Sequence, residues 1–226
     1  MKSLIRVGLL ITVLLALLTT GGAFAQQQLS VGRDYTLLKP PQPTDSGKKI
    51  EVIEFFWYGC IHCYHLEAPL KEWLKHKPAD ADFRYVPAIF DAASWGPLAR
   101  AFYALDAMGL AGKHHDDIFN AIHRDHQKGI VADPRLLADW LSGKGVDKQK
   151  FLDTYNSFAV VSRTKRSEDI TRSYDIPGTP ALVVDGRYLT APSMTVNSDG
   201  SVNYERFFQV VDQLIARARK DRAGQK

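Results

Sequence analysis

Apolar residues recur along this chain with two different periods, and these predict an alternation of strands and helices. A strand is expected over residues 48–57, whose nearly continuous apolar run is typical of a central strand buried on both faces. Directly after it, apolar residues spaced three and four apart from Leu66 to Leu74 predict a helix. A second strand is expected over residues 82–89.

The middle of the chain has the spacing of helices, and the part after it returns to strands. Asp133-Pro134 and Asp147 are typical helix starts, because a side-chain oxygen at that position accepts hydrogen bonds from free backbone N–H groups. Asp185-Gly186 between two apolar runs predicts a hairpin turn. The elements expected after residue 94 are helices over 95–108, 115–123, 134–140, 148–155 and 158–174, strands over 181–184 and 187–190, and a last helix over 204–220.

The first 25 residues are typical of an export signal rather than of folded structure. Lys2 and Arg6 give the chain a short positively charged start, and an apolar run follows over residues 7–18. Ala23-Phe24-Ala25 then has the small-x-small pattern of a cleavage site. The apolar run falls short of the ~20 residues that a membrane-spanning helix needs, which argues against an uncleaved anchor. We therefore expect cleavage before Gln26 and export of the mature chain.

Charge and length narrow the classes of function. The formal net charge is +4, and Lys2 and Arg6 of the signal contribute two of these charges. The mature chain therefore lacks the basic excess of a nucleic-acid-binding protein, and we expect no nucleic-acid partner. Residues 26–226 are long enough for one sizeable core, or for one domain that carries an insertion.

Cys60 and Cys63 are the two cysteines of the sequence, and their spacing indicates chemistry rather than structural support. Two cysteines in an exported chain usually form a structural disulfide. A bridge across two residues, however, closes so small a loop that it removes little entropy from the unfolded chain. Such a bridge contributes little to stability, so we interpret it as a reactive one.

The position of the two cysteines predicts which of them reacts. They follow the first strand and begin its helix, so Cys60 lies where free backbone N–H groups stabilise a thiolate. Cys60 is the expected nucleophile, and Cys63, one turn further, is expected to be shielded. His62 is expected to favour the thiolate as a cation or as an N–H donor. Stabilising the reduced form in this way makes the disulfide an oxidant of other thiols.

Two segments resemble the DsbA family of periplasmic disulfide oxidases. The run from Phe55 to Tyr64, with the dithiol at its centre, looks like the family's active-site segment. The run from Ile176 to Ala181 resembles its cis-proline loop, whose proline faces the dithiol, and the helical block resembles the insertion that family members carry. The resemblance covers nearly the whole mature chain. Ile61 departs from the pattern, because many relatives have proline there.

The resemblance implies an α/β, thioredoxin-like fold with an inserted helical domain. Its expected parts are the signal peptide at 1–25, the first thioredoxin-like part at 26–93, the inserted helical domain at 94–173 and the second thioredoxin-like part at 174–226. A cis peptide bond is implied between Thr179 and Pro180, and such bonds are accessible mainly before proline. It would present the Thr179 backbone to an extended substrate. The substrate-binding residues implied are Trp57, Ile176, Gly178, Thr179 and Pro180.

Glu54 and the neighbouring aromatic residues each allow two interpretations. Glu54 resembles an acidic residue that the family buries beneath the dithiol, where a raised pKa would suit proton exchange with Cys63. Its alternative is a solvated glutamate at a sheet edge. Phe56, Trp57 and Tyr58, together with Ile176, offer apolar surface for unfolded clients if exposed, but aromatic residues in a strand more often belong to the core.

The resemblance also implies the activity and the partners. We expect a monomeric dithiol–disulfide oxidase of the periplasm that donates its disulfide to newly exported, reduced or unfolded proteins. The redox-active Cys60–Cys63 disulfide is expected to serve without any cofactor or metal. Reoxidation is expected from a membrane quinone-linked partner of the DsbB type.

Other functions remain open on the sequence alone. Dimeric isomerases of the same fold have an N-terminal dimerisation domain, for which about twenty residues after Gln26 leave no room. A reductase of this fold and a non-catalytic chaperone are further alternatives. A metal site is disfavoured because adjacent His62 and Cys63 cannot both turn inward beside Cys60 and His65. The remaining histidines in the helical block, namely His114, His115, His123 and His126, are interpreted as solvated.

Overall fold

A computed structural model describes residues 28–131 and 133–224 of the chain. The expected signal peptide at 1–25 lies outside the described residues. None of the helices within the described ranges has the length and apolar character that crossing a membrane requires.

A five-stranded mixed sheet forms the centre of the fold, in the order β1-β5-β4-β2-β3. Its strands are β1 (Thr36–Leu37), β2 (Ile50–Phe56), β3 (Ala81–Pro87), β4 (Ala181–Val184) and β5 (Tyr188–Thr190). β2 pairs parallel with β3 and antiparallel with β4. All seven residues of β2 are buried, as its continuous apolar run predicts for a central strand.

The helices surround this sheet, and five of them lie between β3 and β4 in the chain. They are α1 (Ile61–His76), α2 (Gly96–Ala107), α3 (Ala111–His123), α4 (Pro134–Ser142), α5 (Lys148–Tyr155), α6 (Phe158–Ser173) and α7 (Tyr204–Ala223), with 3-10 turns at Lys128–Val131 and Pro192–Met194. The fold is thioredoxin-like, and α2 to α6 form the inserted helical block. The domain boundaries given above stay predictions.

Local signals in the sequence have the structure that their chemistry predicts. The Asp133 and Asp147 side chains accept hydrogen bonds from the backbone N–H groups of Arg135 and Lys150, so both act as N-caps. Asp185 and Gly186 have positive φ, as a tight hairpin turn requires. The predicted elements are thus confirmed, with ends displaced by a few residues.

β2 separates two apolar cores because its side chains alternate between the faces of the sheet. Val52 packs with α1 and α7 on one face. Ile53 and Phe55 pack with Tyr174 and Ile176 on the other face. A third cluster joins the end of β2 to the helical block, and Cys63 belongs to it. The insertion therefore packs directly against the dithiol.

Candidate active site

The dithiol lies at the junction of β2 and α1. The Cys60 backbone N–H donates to the Trp57 carbonyl at 2.9 Å, which closes the turn between the two elements. Cys60 is the N-cap residue of α1, with extended backbone angles, and is partly exposed. Cys63 lies in the first helical turn and has no exposed surface. Both sulfurs are free thiols, one accessible and one enclosed.

The environment of Cys60 favours its thiolate. The pKa of Cys60 is lowered to about 5, and the largest cause is a hydrogen bond from the Cys63 thiol. Burial acts in the opposite direction, and hydrogen bonds from Thr179 and from the backbone N–H groups of Cys63 and His62 add to the lowering. These N–H groups belong to the start of α1, where an anion is stabilised.

The environment of Cys63 favours its thiol. Burial raises the pKa of Cys63 well above its usual value, and the hydrogen bond it gives to Cys60 and the nearby Glu54 carboxylate act in the same direction. The reduced pair therefore holds one negative charge on the accessible sulfur and one proton on the enclosed sulfur.

The loop before β4 brings a distant part of the chain to Cys60. The Cys60 thiol donates to the Thr179 carbonyl at 3.3 Å, although 119 residues separate the two. The Thr179–Pro180 peptide bond is cis, as predicted. Gly178 and Thr179 are half-buried and Pro180 is buried. Of the predicted substrate-binding residues, Thr179 contacts the Cys60 sulfur and Trp57 contacts the Cys60 backbone.

Three of the predicted apolar surface residues are not at the surface. Ile176 is 5% exposed and packs in the core beneath the loop, while Phe56 and Tyr58 are fully enclosed. The alternative in which these residues offer surface to clients is therefore excluded, and the core interpretation that the sequence favours is confirmed for Phe56 and Tyr58. Trp57 is half-buried and stacks on Trp95, with ring centroids 4.1 Å apart. Its role in substrate binding stays a prediction.

The side chain of His62 is exposed beside the dithiol. The hydrogen bond from His62 to the Cys60 sulfur comes from its backbone N–H. The contribution predicted for the imidazole stays a prediction. His62 is exposed and Cys63 is enclosed, so the two adjacent side chains lie in different surroundings. Within residues 28–131 and 133–224, no three His, Cys, Asp or Glu side chains are grouped so as to hold a metal ion.

Glu54 lies on β2 beneath the dithiol and has no exposed surface. Neither of its carboxylate oxygens has a hydrogen-bond partner among the described residues. Burial, followed by the charges of Glu67 and Cys60, raises the pKa of Glu54 well above its usual value. A solvated glutamate is excluded because the side chain is enclosed. Burial favours the uncharged form of Glu54, and the proton exchange predicted between Glu54 and Cys63 stays a prediction.

The helical block contributes side chains that the sequence interpretation missed. His115 Nδ1 and the Tyr58 hydroxyl share a hydrogen bond of 2.8 Å, and His115 Nε2 lies 3.3 Å from the Glu67 carboxylate. His123 Nε2 contacts the Tyr58 carbonyl at 2.8 Å. His114 and His115 are buried, so the interpretation of both as solvated is wrong. His115 shares the apolar spacing of Ile118, Phe119 and Ile122, and this signal predicts a buried position.

This arrangement can carry out two-electron exchange between sulfurs. Cys60 can be attacked or can leave as a stable anion, and Cys63 can close or open the bridge from within the protein. The cis-proline loop supplies backbone beside the reactive sulfur, and Glu54 supplies a proton-holding group beneath it.

Comparisons with known proteins show which family this chain resembles. Residues 51–209 match the family described as DSBA-like thioredoxin domain. The thiol:disulfide interchange protein DsbA of Pseudomonas aeruginosa is 38% identical over 212 residues, which cover 93% of this chain and 96% of that protein. The protein of the same name from Burkholderia cepacia is 41% identical over 185 residues, covering 81% and 83%.

Solved structures give the same result for the fold. The crystal structure of Pseudomonas aeruginosa DsbA matches with a TM-score of 0.78 and 37% identity, covering 88% of this chain and 97% of that one. The structure of the oxidoreductase DsbA from Xylella fastidiosa matches with a TM-score of 0.76 and 32% identity, covering 85% and 98%. The family match over residues 51–209 includes nearly all of β2, the helical block and the cis-proline loop.

Proposed function

The chain belongs to the DsbA family of thiol:disulfide oxidoreductases and is a disulfide oxidase, and from this premise we propose how its own residues carry out the exchange. Cys60 is the sulfur that meets the client, and Cys63 is the sulfur that holds the other end of the bridge. The observation that carries this proposal is the contrast between an accessible Cys60 with a pKa of about 5 and an enclosed Cys63 whose pKa is raised.

The exchange begins with the oxidised enzyme. A client thiolate attacks the Cys60 sulfur, the Cys60–Cys63 bond breaks, and its electron pair leaves on Cys63. The second client thiolate then attacks the client sulfur of this mixed disulfide. Cys60 leaves as a thiolate, which its low pKa favours. Two electrons have passed from the client to the enzyme, and the client holds the disulfide.

Three further groups take part in this exchange. The Thr179 backbone, beside the Cys60 sulfur, pairs with an extended client strand and holds it in line for attack. Glu54 gives a proton to the Cys63 sulfur as the bridge opens and takes one back as the bridge closes. Trp57, half-exposed beside the dithiol, contacts the client chain.

Location and partners follow from the same premise. We place the enzyme in the periplasm after cleavage of residues 1–25, on the basis of the export pattern in the sequence. Its clients are reduced proteins that have just been exported. A DsbB-type membrane oxidase restores the disulfide by accepting two electrons, and the exchange uses no cofactor or metal.

The proposal is tested by titrating the dithiol against glutathione while the oxidation of reduced ribonuclease A is followed. We expect an oxidising potential and stoichiometric transfer of disulfides to the client. Cys60→Ser should abolish transfer. Cys63→Ser, loaded beforehand with glutathione as a mixed disulfide at Cys60, should release the glutathione and form a mixed disulfide between Cys60 and the client. A strongly reducing potential would favour a reductase. Transfer that survives Cys60→Ser would exclude Cys60 as the nucleophile.

A further inference from the structure

The four residues that lead from β2 into α1 form a tight turn. The Cys60 backbone N–H donates to the Trp57 carbonyl at 2.9 Å, with Tyr58 and Gly59 between them. Neither Tyr58 nor Gly59 has a positive φ. Among turns closed by this hydrogen bond, such angles are typical of type I, in which the third residue has a φ of about −90°.

Glycine at the third position gives the turn access to a second conformation. Type II keeps the same closing hydrogen bond, but its central peptide is rotated by about 180°, and it favours glycine at that position. Gly59 is required for another reason, since a Cβ atom there would lie 2.5 Å from the Trp57 indole. The residue that makes room for Trp57 therefore also allows the central peptide, between Tyr58 and Gly59, to rotate.

His123, the last residue of α3, holds this central peptide. Its Nε2 lies 2.8 Å from the Tyr58 carbonyl oxygen. A carbonyl oxygen only accepts hydrogen bonds, so Nε2 carries the hydrogen and donates it. Among the residues that the structure describes, none but His123 donates to this oxygen. The bond forms in the observed orientation and breaks if the peptide rotates.

The imidazole of His123 is itself held in place. Its ring stacks on the ring of Tyr64, with centroids 5.2 Å apart and planes inclined by 21°. The Tyr64 hydroxyl donates to Asn120 Oδ1 on α3 at 3.0 Å. Phe119, one turn before His123, is enclosed in the core. The N–H group of His123 is therefore fixed before any client arrives.

The turn borders open space, so close packing does not by itself fix the peptide. Trp57, Gly59, Ile61 and His123 are among the residues that line a cavity of about 560 Å³. Gly59 is half-buried. We therefore attribute the choice of orientation to the hydrogen bond from His123.

The orientation matters for the exchange because Trp57 depends on it. The indole packs closely on Gly59 and stacks on Trp95 on its other side. Rotation to type II would change the φ of Gly59 from about −90° to about +80° and so change the surface on which the indole lies. Trp57 and the adjacent Cys60 would then be displaced relative to the client, and small displacements of reacting groups lower the rate of reaction.

We propose that His123 is a positioning residue that selects the conformation of the turn before Cys60, through the hydrogen bond from Nε2 to the Tyr58 carbonyl. The inference rests on the proposed function, in which a client attacks Cys60 while it contacts Trp57. His123 takes no part in the transfer of electrons. It keeps the turn in the conformation in which the client meets both residues.

The test uses His123→Phe, with Asn120→Leu as its matched control. Phenylalanine keeps a ring to stack on Tyr64 but has no N–H group to donate. Asn120→Leu also removes one hydrogen bond between α3 and the segment around the dithiol, but leaves the Tyr58 carbonyl bonded. The φ of Gly59 is measured by NMR, from the couplings between its amide and α protons. The rate of bridge opening is measured by mixing oxidised enzyme with a reduced dithiol peptide and quenching with acid.

We expect His123→Phe to move Gly59 toward positive φ and to slow bridge opening roughly two- to tenfold, as the loss of one ordinary hydrogen bond implies. Asn120→Leu should keep the φ of Gly59 and the rate of the natural protein. His123→Gln, whose amide N–H can also reach the carbonyl, should restore both.

Three results would overturn the inference. The first is an unchanged φ of Gly59 and an unchanged rate in His123→Phe. The second is equal slowing by Asn120→Leu, because the effect would then come from contact between the helices in general. The third is a His123→Gln variant that behaves as His123→Phe does, because the donated hydrogen bond would then not be the cause.

A measurement on the natural protein covers the case in which His123→Phe does not fold. Nitrogen NMR shows which imidazole nitrogen carries a hydrogen, and the inference requires it on Nε2 of His123 in both the oxidised and the reduced enzyme. An Nε2 without hydrogen in either state would overturn it. Cys60→Ser separates the two claims. If Cys60→Ser is inactive while His123→Phe reacts as the natural protein does, the positioning role fails and the proposed function stands. If Cys60→Ser still transfers disulfides, the proposed function fails and this inference fails with it.

Discussion

Cys60 and Cys63 are one helical turn apart, yet the pKa of the first is lowered to about 5 and that of the second is raised well above its usual value. The cause is that the two sulfurs have different surroundings, although they lie on the same turn of α1. Cys60 receives hydrogen bonds from Cys63, from Thr179 and from the start of the helix. Cys63 is enclosed by apolar residues of the helical block.

This division predicts selective alkylation of the reduced protein. Iodoacetamide at pH 6 should modify Cys60 readily, because most of it is already thiolate, and should leave Cys63 unmodified. The rate should rise with pH to a plateau, with its midpoint near pH 5. Mass spectrometry of peptides after timed quenching measures both sites, and unfolded protein is the control. A midpoint near the usual value of a free thiol would contradict the structure.

The same division predicts how the reduction potential varies with pH. Above pH 5, reduction takes up one proton for two electrons, because only Cys63 becomes protonated. The potential should then fall by about 30 mV per pH unit, and by about 59 mV per unit below pH 5, where both sulfurs bind protons. Equilibration with glutathione between pH 4 and 8 measures this slope. A slope near 59 mV throughout would mean that Cys60 remains protonated.

His62 provides a test of the dipeptide between the sulfurs. Its exposed side chain stands beside the thiolate, so His62→Leu removes a cationic or N–H-donating group while the backbone N–H remains. We expect the pKa of Cys60 to rise by roughly one unit, at the low end of the effect of a nearby opposite charge. The alkylation profile measures the shift. His65→Leu, an exposed histidine further along α1, is the control and should leave the profile unchanged.

Features of the fold and the site that depend on neighbouring residues could be predicted from the sequence. The strand–turn–helix signal around Tyr58-Gly59 places Cys60 at a helix start, and Asp133 and Asp147 cap their helices as their positions predict. The enclosed character of Glu54 also follows from its apolar neighbours. In each case the deciding contacts lie within a few residues.

Features that depend on packing between distant parts of the chain could not be predicted from the sequence. Ile176 was predicted as surface for clients, but it packs beneath the loop against residues of β2 and α6. His115 was interpreted as solvated because it is a polar residue near a predicted helix end, while its partners, Tyr58 and Glu67, lie 57 and 48 residues away. Its spacing with Ile118 and Phe119 held the information, but only the fold shows what that apolar face covers.

The last prediction concerns the stability cost of Glu54. A buried carboxyl group without hydrogen-bond partners costs about 1–3 kcal/mol, so Glu54→Leu should raise the free energy of unfolding by about that amount. The sign of the pH dependence follows from the raised pKa of Glu54. The natural protein is most stable below the pKa that Glu54 has in the unfolded chain, where the carboxyl is uncharged in both states. It loses stability as the pH rises through the higher pKa of the folded state, so the increase in the free energy of unfolding caused by Glu54→Leu should grow with pH.

Urea denaturation of the reduced protein at pH 5 and pH 8 measures both effects, and Glu54→Gln is the matched control. The amide keeps the shape and remains unsatisfied, but it has no charge to bury. Glu54→Gln should therefore raise the free energy of unfolding less than Glu54→Leu does at pH 5. At pH 8 it should remove the additional destabilisation that comes from burying the Glu54 charge. Destabilisation by both substitutions at both pH values would mean that the Glu54 carboxyl is held by favourable contacts in the folded protein, because only lost contacts would make an apolar replacement worse.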